Sequence, residues 1–210
     1  MTFRSDMPSA GGRLRTAWAA AHQPVAGVPR WARRAAHAVP WIVLPSGLWR
    51  IAAVCAGDDH GRRAGDLPSW LPAGVYVVLL SVLCELLAFS TVGLVASWGE
   101  VFPRWVPALR GRRVPTAAAV VPAALGATAL TALWTVLGVV TEVAGVTLRG
   151  APLPVDYPGA QGGWSAVVFH LCYAPLLLWG PLLAAVTVAY GRRRRTAVSP
   201  VACPVPPWCG

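Results

Sequence analysis

Four long apolar runs, separated by polar and proline-containing stretches, organise the chain: residues 38–56, 74–97, 117–141 and 164–190. The shortest, Ala38–Ala56, has 19 residues. At 1.5 Å per residue a helix of that length crosses a hydrocarbon core of about 30 Å. Backbone amides in hydrocarbon must be paired within the segment, and these runs are too long for barrel strands. The pattern therefore predicts four transmembrane helices. The fourth run is longer than a perpendicular crossing needs and contains Pro175 and Pro181, so a tilt or kink is expected there. The implied fold class is all-α: a polytopic membrane protein with a four-helix domain over 37–191. A mobile basic tail over 1–36 and an Arg/Pro-rich tail over 192–210 flank it. Within the first tail "RLRTAWAAAH" (Arg13–His22) has some amphipathic character, which suits a helix lying on a membrane surface.

Composition agrees with the pattern. Of 210 residues 56% are hydrophobic and 12% charged, where a soluble domain carries about 25% charged. Every basic residue is arginine, and the net charge is +10. That charge would suit nucleic acid were it spread over one face. It sits instead in blocks beside the apolar runs, as topology signals do, and nucleic-acid binding is set aside. Fourteen arginines fall in the N-terminal tail, the 98–115 connection and the C-terminal tail; only Arg62, Arg63 and Arg149 fall in the other connections. The positive-inside rule then places both termini and the 98–115 connection in the cytoplasm of a plasma-membrane protein. Trp31, Trp41, Trp98 and Trp105 mark the inner boundary and Trp70 and Trp164 the outer one, while Trp134 and Trp179 lie deeper and pack between helices.

The first run is not a cleavable leader, because its basic flank is too long and no small-x-small cleavage site is convincing. Val54 is too bulky for the lipoprotein box that "AAVC" faintly suggests. Cys55, Cys84, Cys172, Cys203 and Cys209 form no C-x-x-C pair and no zinc spacing. No G-x-S-x-G, H-E-x-x-H, P-loop or dinucleotide fingerprint is present. The sequence thus points to no catalytic residue, metal or cofactor, and to a non-enzymatic role.

Candidate chemistry is confined to ionisable groups in the outer half of the membrane. Arg50 lies about 9 Å inside the outer end of the first run and Glu85 near the middle of the second. Glu142 closes the third run, and His170 stands in the fourth with Tyr173 on the same face at i+3. Such groups are costly in lipid and should face partners. Arg50 with Glu85 is the expected pair, and His170 with Glu142 the extension of the network. Two readings of the cluster stay open: a salt-bridge network that sets helix register, or a proton relay or small polar-substrate site. A further stripe, Ala119, Ala123, Ala127, Thr131 and Thr135, offers a small-residue face for helix packing within the bundle or between subunits.

Four strings, "LPSGLWR" (Leu44–Arg50), "WGEVFPRWVP" (Trp98–Pro107), "GRRVP" (Gly111–Pro115) and "CYAPLLLWGPLLAAVTVAYGRRR" (Cys172–Arg194), resemble an uncharacterised family of four-span integral membrane proteins of actinobacteria. The resemblance covers roughly residues 37–195. It implies a plasma-membrane location and a four-helix fold, and no reaction. Trp98, Glu100, Arg104, Trp105, Arg110, Arg112 and Arg113 lie in its most specific part. They are expected to contact anionic headgroups or a cytoplasmic protein partner. The expected partners are thus the bilayer, a cytoplasmic protein or a second copy of the chain. The alternative is a small transporter or channel-like protein using Arg50, Glu85 and His170.

Overall fold

The spacing of buried residues explains how the helices meet. In the computed structural model, which describes residues 25, 27–57, 72–99, 114–147, 150–153, 155 and 157–196, helix α1 (Arg30–Cys55) buries Ala32, Ala36, Val39, Val43 and Ser46. Those positions step by four, three, four and three, the spacing of a coiled-coil seam. Helix α2 (Ala73–Gly93) buries Val77, Ser81, Ala88 and Thr91 on the same rhythm. Helix α3 (Thr116–Gly138) continues through a π turn, Val139–Val143. The fourth span is α4 (Gly163–Tyr173), a 3₁₀ stretch (Ala174–Leu178) and α5 (Trp179–Thr196). Its buried seam is Leu176, Trp179, Leu183, Val186 and Tyr190, again three and four apart.

Among the described residues the protein is all-helical, and four helices are long and apolar enough to cross a membrane: Arg30–Cys55, Ala73–Gly93, Thr116–Val143 and Gly163–Thr196. Large apolar side chains such as Leu79, Leu83, Leu86, Leu125 and Leu133 point outward and are exposed. A lipid environment is what makes that arrangement favourable. The helices stand in the order α2, α1, fourth span, α3, each leaning chiefly on its neighbours in that row.

Three boundaries differ from the hydropathy pattern. α1 starts at Arg30, so residues 30–36 are helix and not tail; Pro29, with φ −58° and ψ 143°, sets its beginning, and the Ala-rich turn propagates the helix past the apolar limit. Helix α5 likewise carries Arg192–Arg195 in its last turns. α2 stops at Gly93 instead of continuing to residue 97. There the chain folds back: a Cβ on Gly93 would lie 2.7 Å from Cη2 of Trp98, and Trp98 stacks on Phe89 with ring centroids 6.0 Å apart. Leu94, Val95 and Ala96 are buried in this reversal. Residues 1–24 and 197–210, with Glu100, Arg104, Trp105, Arg110, Arg112 and Arg113 of the 98–115 connection, lie outside the described residues.

The 3₁₀ stretch has a covalent cause. Pro175 and Pro181 lack the N–H that an α-helix would use at those positions, so the regular ladder is interrupted around them. Gly180 then lets the fourth span approach α3 closely. A Cβ there would stand 2.9 Å from the Ala127 carbonyl oxygen and 2.6 Å from the Thr131 nitrogen. The small-residue stripe on α3 thus serves packing within the chain, but only over part of its length. Residues repeating every four drift around a helix of 3.6 per turn. Ala119, Ala123 and Ala127 belong to the packed core, Thr131 meets Gly180, and Thr135 has turned outward, with Leu130 and Trp134 in the seam.

At the end of the bundle carrying Arg192–Arg195 the seams meet in a continuous core of Ala36, Val92, Ala127, Leu183, Val186 and Tyr190. Arg194 donates to the Val114 carbonyl at 2.6 Å, tying the end of α5 to the start of α3. At the opposite end the fourth span and α3 diverge around a cavity.

Candidate functional site

The cavity has a volume of about 400 Å³ and lies among α1, α3 and the fourth span. Its walls are Trp49 of α1, Trp134 and Leu137 of α3, and Phe169, Tyr173 and Leu177 of the fourth span. The rings form one array. Tyr157 meets Phe169 edge-on at 5.3 Å, Phe169 stacks on Tyr173 at 4.5 Å, and Tyr173 meets Trp134 at 6.5 Å. Offset and edge-on contacts of this kind hold aromatic walls in defined orientations.

Polar groups gather at the mouth. The π turn of α3 carries Glu142; such a turn takes in one residue more than an α turn and re-aims the side chains beyond it, a feature common at functional sites. Glu142 Oε2 lies 3.1 Å from Nε2 of His170, and the two side chains are each 44% exposed. The Tyr157 hydroxyl donates to Glu142 Oε1 at 3.3 Å. His170 Nδ1 lies 2.7 Å from the Ala166 carbonyl oxygen. A carbonyl only accepts, so Nδ1 carries a hydrogen. When Nε2 also carries a hydrogen it donates to the Glu142 carboxylate. The imidazolium–carboxylate pair is then neutral as a unit.

Tyr157 belongs to the connection between α3 and α4. Val146 and Pro152 form an antiparallel bridge there, with Thr147 N donating to Ala151 O at 2.7 Å. Burial, and the Glu142 carboxylate beside it, push the Tyr157 phenol above its ordinary range near 10. The phenol therefore stays protonated and able to donate.

The structure brings Glu142, His170 and Tyr173 together and separates the expected Arg50–Glu85 pair. A Cβ on Gly47 would meet Ser81 at 3.9 Å, and one on Gly74 would meet Val54 at 3.0 Å. In that antiparallel register position 50 is level with position 78, and Glu85 lies seven residues beyond, about 10 Å along the axis. Glu85 also stands beside the α2 seam, next to Cys84, which packs on the core. Arg50 continues the α1 seam, four residues after Ser46. Its Nη2 donates to Ser46 Oγ at 3.3 Å, and its Nε is buried without a partner.

Sequence reasoning missed Tyr157 because the 144–162 connection shows no periodicity. It also missed Trp49 and Phe169 as walls; their only signal was adjacency to Arg50 and His170. Among the described residues no group of three or more His, Cys, Asp or Glu side chains is arranged to hold a metal ion. Comparison with protein-family models, curated proteins and solved structures finds no match.

Proposed function

We propose that this multi-pass membrane protein works by binding and not by catalysing a reaction, and that its site is the aromatic cavity. The observation that carries this is the cavity's construction. Its walls come from three spans, and among the described residues its only charged lining groups are Glu142 and His170 at the mouth. A mostly apolar recess with a few convergent polar groups is the usual form of a small-molecule site. The reading includes a plasma-membrane location with both ends cytoplasmic, which the arginine distribution supports. It also includes kinship with the four-span actinobacterial group, supported by the four strings that resemble it.

Photolabelling of the full chain in nanodiscs with a trifluoromethyl phenyl diazirine tests the site. Label is expected on Trp49 and Trp134, with displacement by neopentylbenzene and loss in Ala174→Trp, which fills the recess. Uniform labelling of outward-facing residues, unaffected by Ala174→Trp, would overturn the reading.

A second reading, association with another copy or a cytoplasmic protein, is favoured by one feature. α3 buries only Ala127 and rests chiefly on the fourth span. Thr128→Cys tests it: a disulfide-linked dimer in native membranes supports association through α3, and exclusively monomeric protein counts against it. The residues 98–113 remain the surface proposed for headgroups or a cytoplasmic partner. A transporter is the alternative, drawing on the proton held between Glu142 and His170; proton flux in vesicles abolished by His170→Gln would favour it.

A further inference from the structure

We infer that the cavity takes a monovalent organic cation with an apolar body, such as a quaternary ammonium compound, in exchange for the proton held between Glu142 and His170. This rests on the cavity being a binding site.

The lining chemistry selects the charge. Trp49, Trp134, Tyr157, Phe169 and Tyr173 line the recess, and a cation that reaches the face of such a ring is stabilised, more strongly where water is excluded. Glu142 supplies the counter-charge at the mouth. Its two oxygens accept from Tyr157 and His170, and each keeps lone-pair capacity for another donor or cation. Among the described residues an anion finds no comparable partner. Both ring nitrogens of His170 are already engaged, with Glu142 and the Ala166 carbonyl, and Arg50 does not line the recess. A bare metal ion is disfavoured too, since hard cations need six or more oxygen ligands and the walls are rings and aliphatic carbons.

The proton follows from charge balance. The protonated pair is neutral as a unit, and an isolated extra charge is costly in an apolar recess. When the cation binds, Glu142 remains a carboxylate beside it and the shared proton passes to solvent. His170 is left neutral, with its Nδ1 hydrogen still on Ala166. One positive charge enters and one leaves, so the site stays neutral. Among the described residues the other groups facing the pair are Tyr157 from the connection and Tyr173 on the fourth span. Arg50 on α1 directly follows the lining residue Trp49. None of these changes charge in the exchange.

The test compares benzyltrimethylammonium with its uncharged isostere neopentylbenzene as competitors of diazirine labelling, using the full chain in nanodiscs between about pH 5 and 9. Calorimetry in two buffers of different ionisation enthalpy counts protons. The cation is expected to bind at least about tenfold more tightly than the isostere at the upper end of that range and to release one proton where the pair is protonated. There its apparent affinity rises about tenfold per pH unit, as one-proton linkage requires. Glu142→Gln should remove the preference for the cation and leave the isostere unaffected. His170→Gln should bind the cation without releasing a proton. If cation and isostere compete equally and no proton appears, the inference fails while the cavity remains a binding site. If neither displaces the label, the binding reading itself fails and takes the inference with it.

Discussion

The two ends of this bundle are built from the same four helices, yet one is closed and the other open. From the middle of the bundle to the arginine-bearing end small residues permit close approach, Gly180 to the backbone of α3 around Ala127 and Gly93 to the Trp98 ring, and Val186, Leu183 and Tyr190 fill the space between the helices. At the opposite end the same seams run on into Trp134, Leu137, Tyr173 and Leu177, and the helices part around a recess of about 400 Å³. Helices in lipid gain nothing from hiding apolar surface that lipid already covers, so close van der Waals packing and polar contacts hold them together. Small residues therefore make the tight end, and large rings hold the other end apart. Stability and binding are assigned to different halves of the molecule.

Breaking the tight end should have the largest effect. Gly180→Ala places a methyl against the Ala127 carbonyl and Thr131 backbone and is expected to destabilise the protein by about 1–3 kcal/mol. Thermal unfolding in detergent would measure it. Gly138→Ala at the cavity end is the control, because its Cβ finds only Leu177 Cδ2 at an ordinary 3.9 Å. Equal losses in the two variants would abolish the distinction between the halves.

Arg50 tests whether charge holds the open half together. Its Nε has no partner, and Glu85 is about two turns away. Arg50→Met should therefore leave thermal stability unchanged or higher. Charge reversal at Arg50 and Glu85 together should not rescue the single reversals. A clear rescue would restore the ion pair that the register separates. Glu142→Gln should have a smaller effect on the fold, about 0–1 kcal/mol, since the pair with His170 is half exposed. Its larger consequence should be the lost preference for a cation over the uncharged isostere.

The smallest effect concerns pH. Tyr157 has a folded pKa above its unfolded value of about 10, so the neutral phenol is favoured by folding. Its contribution is fully present below about pH 10 and is lost as pH rises through the higher folded value. Hydrogen exchange of the 144–162 connection should consequently show no Tyr157-dependent change between about pH 6 and 9. A loosening in that interval that is absent in Tyr157→Phe would contradict this.

Much of the architecture was written along the chain. Twenty or so consecutive apolar residues can satisfy their amides in lipid only as a helix, so the number and placement of the spans needed no tertiary information. The three-and-four burial spacing of α1, Ala32, Ala36, Val39, Val43 and Ser46, came only with the structure, since the hydropathy pattern leaves residues 1–36 in the tail. Glu142 and His170 could be nominated as partners, because an ionisable group in a span needs one. What only the tertiary structure decided is which partners meet. Depth estimated from a sequence is uncertain by a turn or more, and hydropathy says nothing of rotation about the helix axis. Gly47 against Ser81 and Gly74 against Val54 set the register that parts Arg50 from Glu85. The π turn at Val139–Val143 and the tertiary position of Tyr157 bring a carboxylate, an imidazole and a phenol to one cavity mouth. Neither the register nor that convergence leaves a periodic trace in the chain, because both arise from contacts between segments distant in sequence.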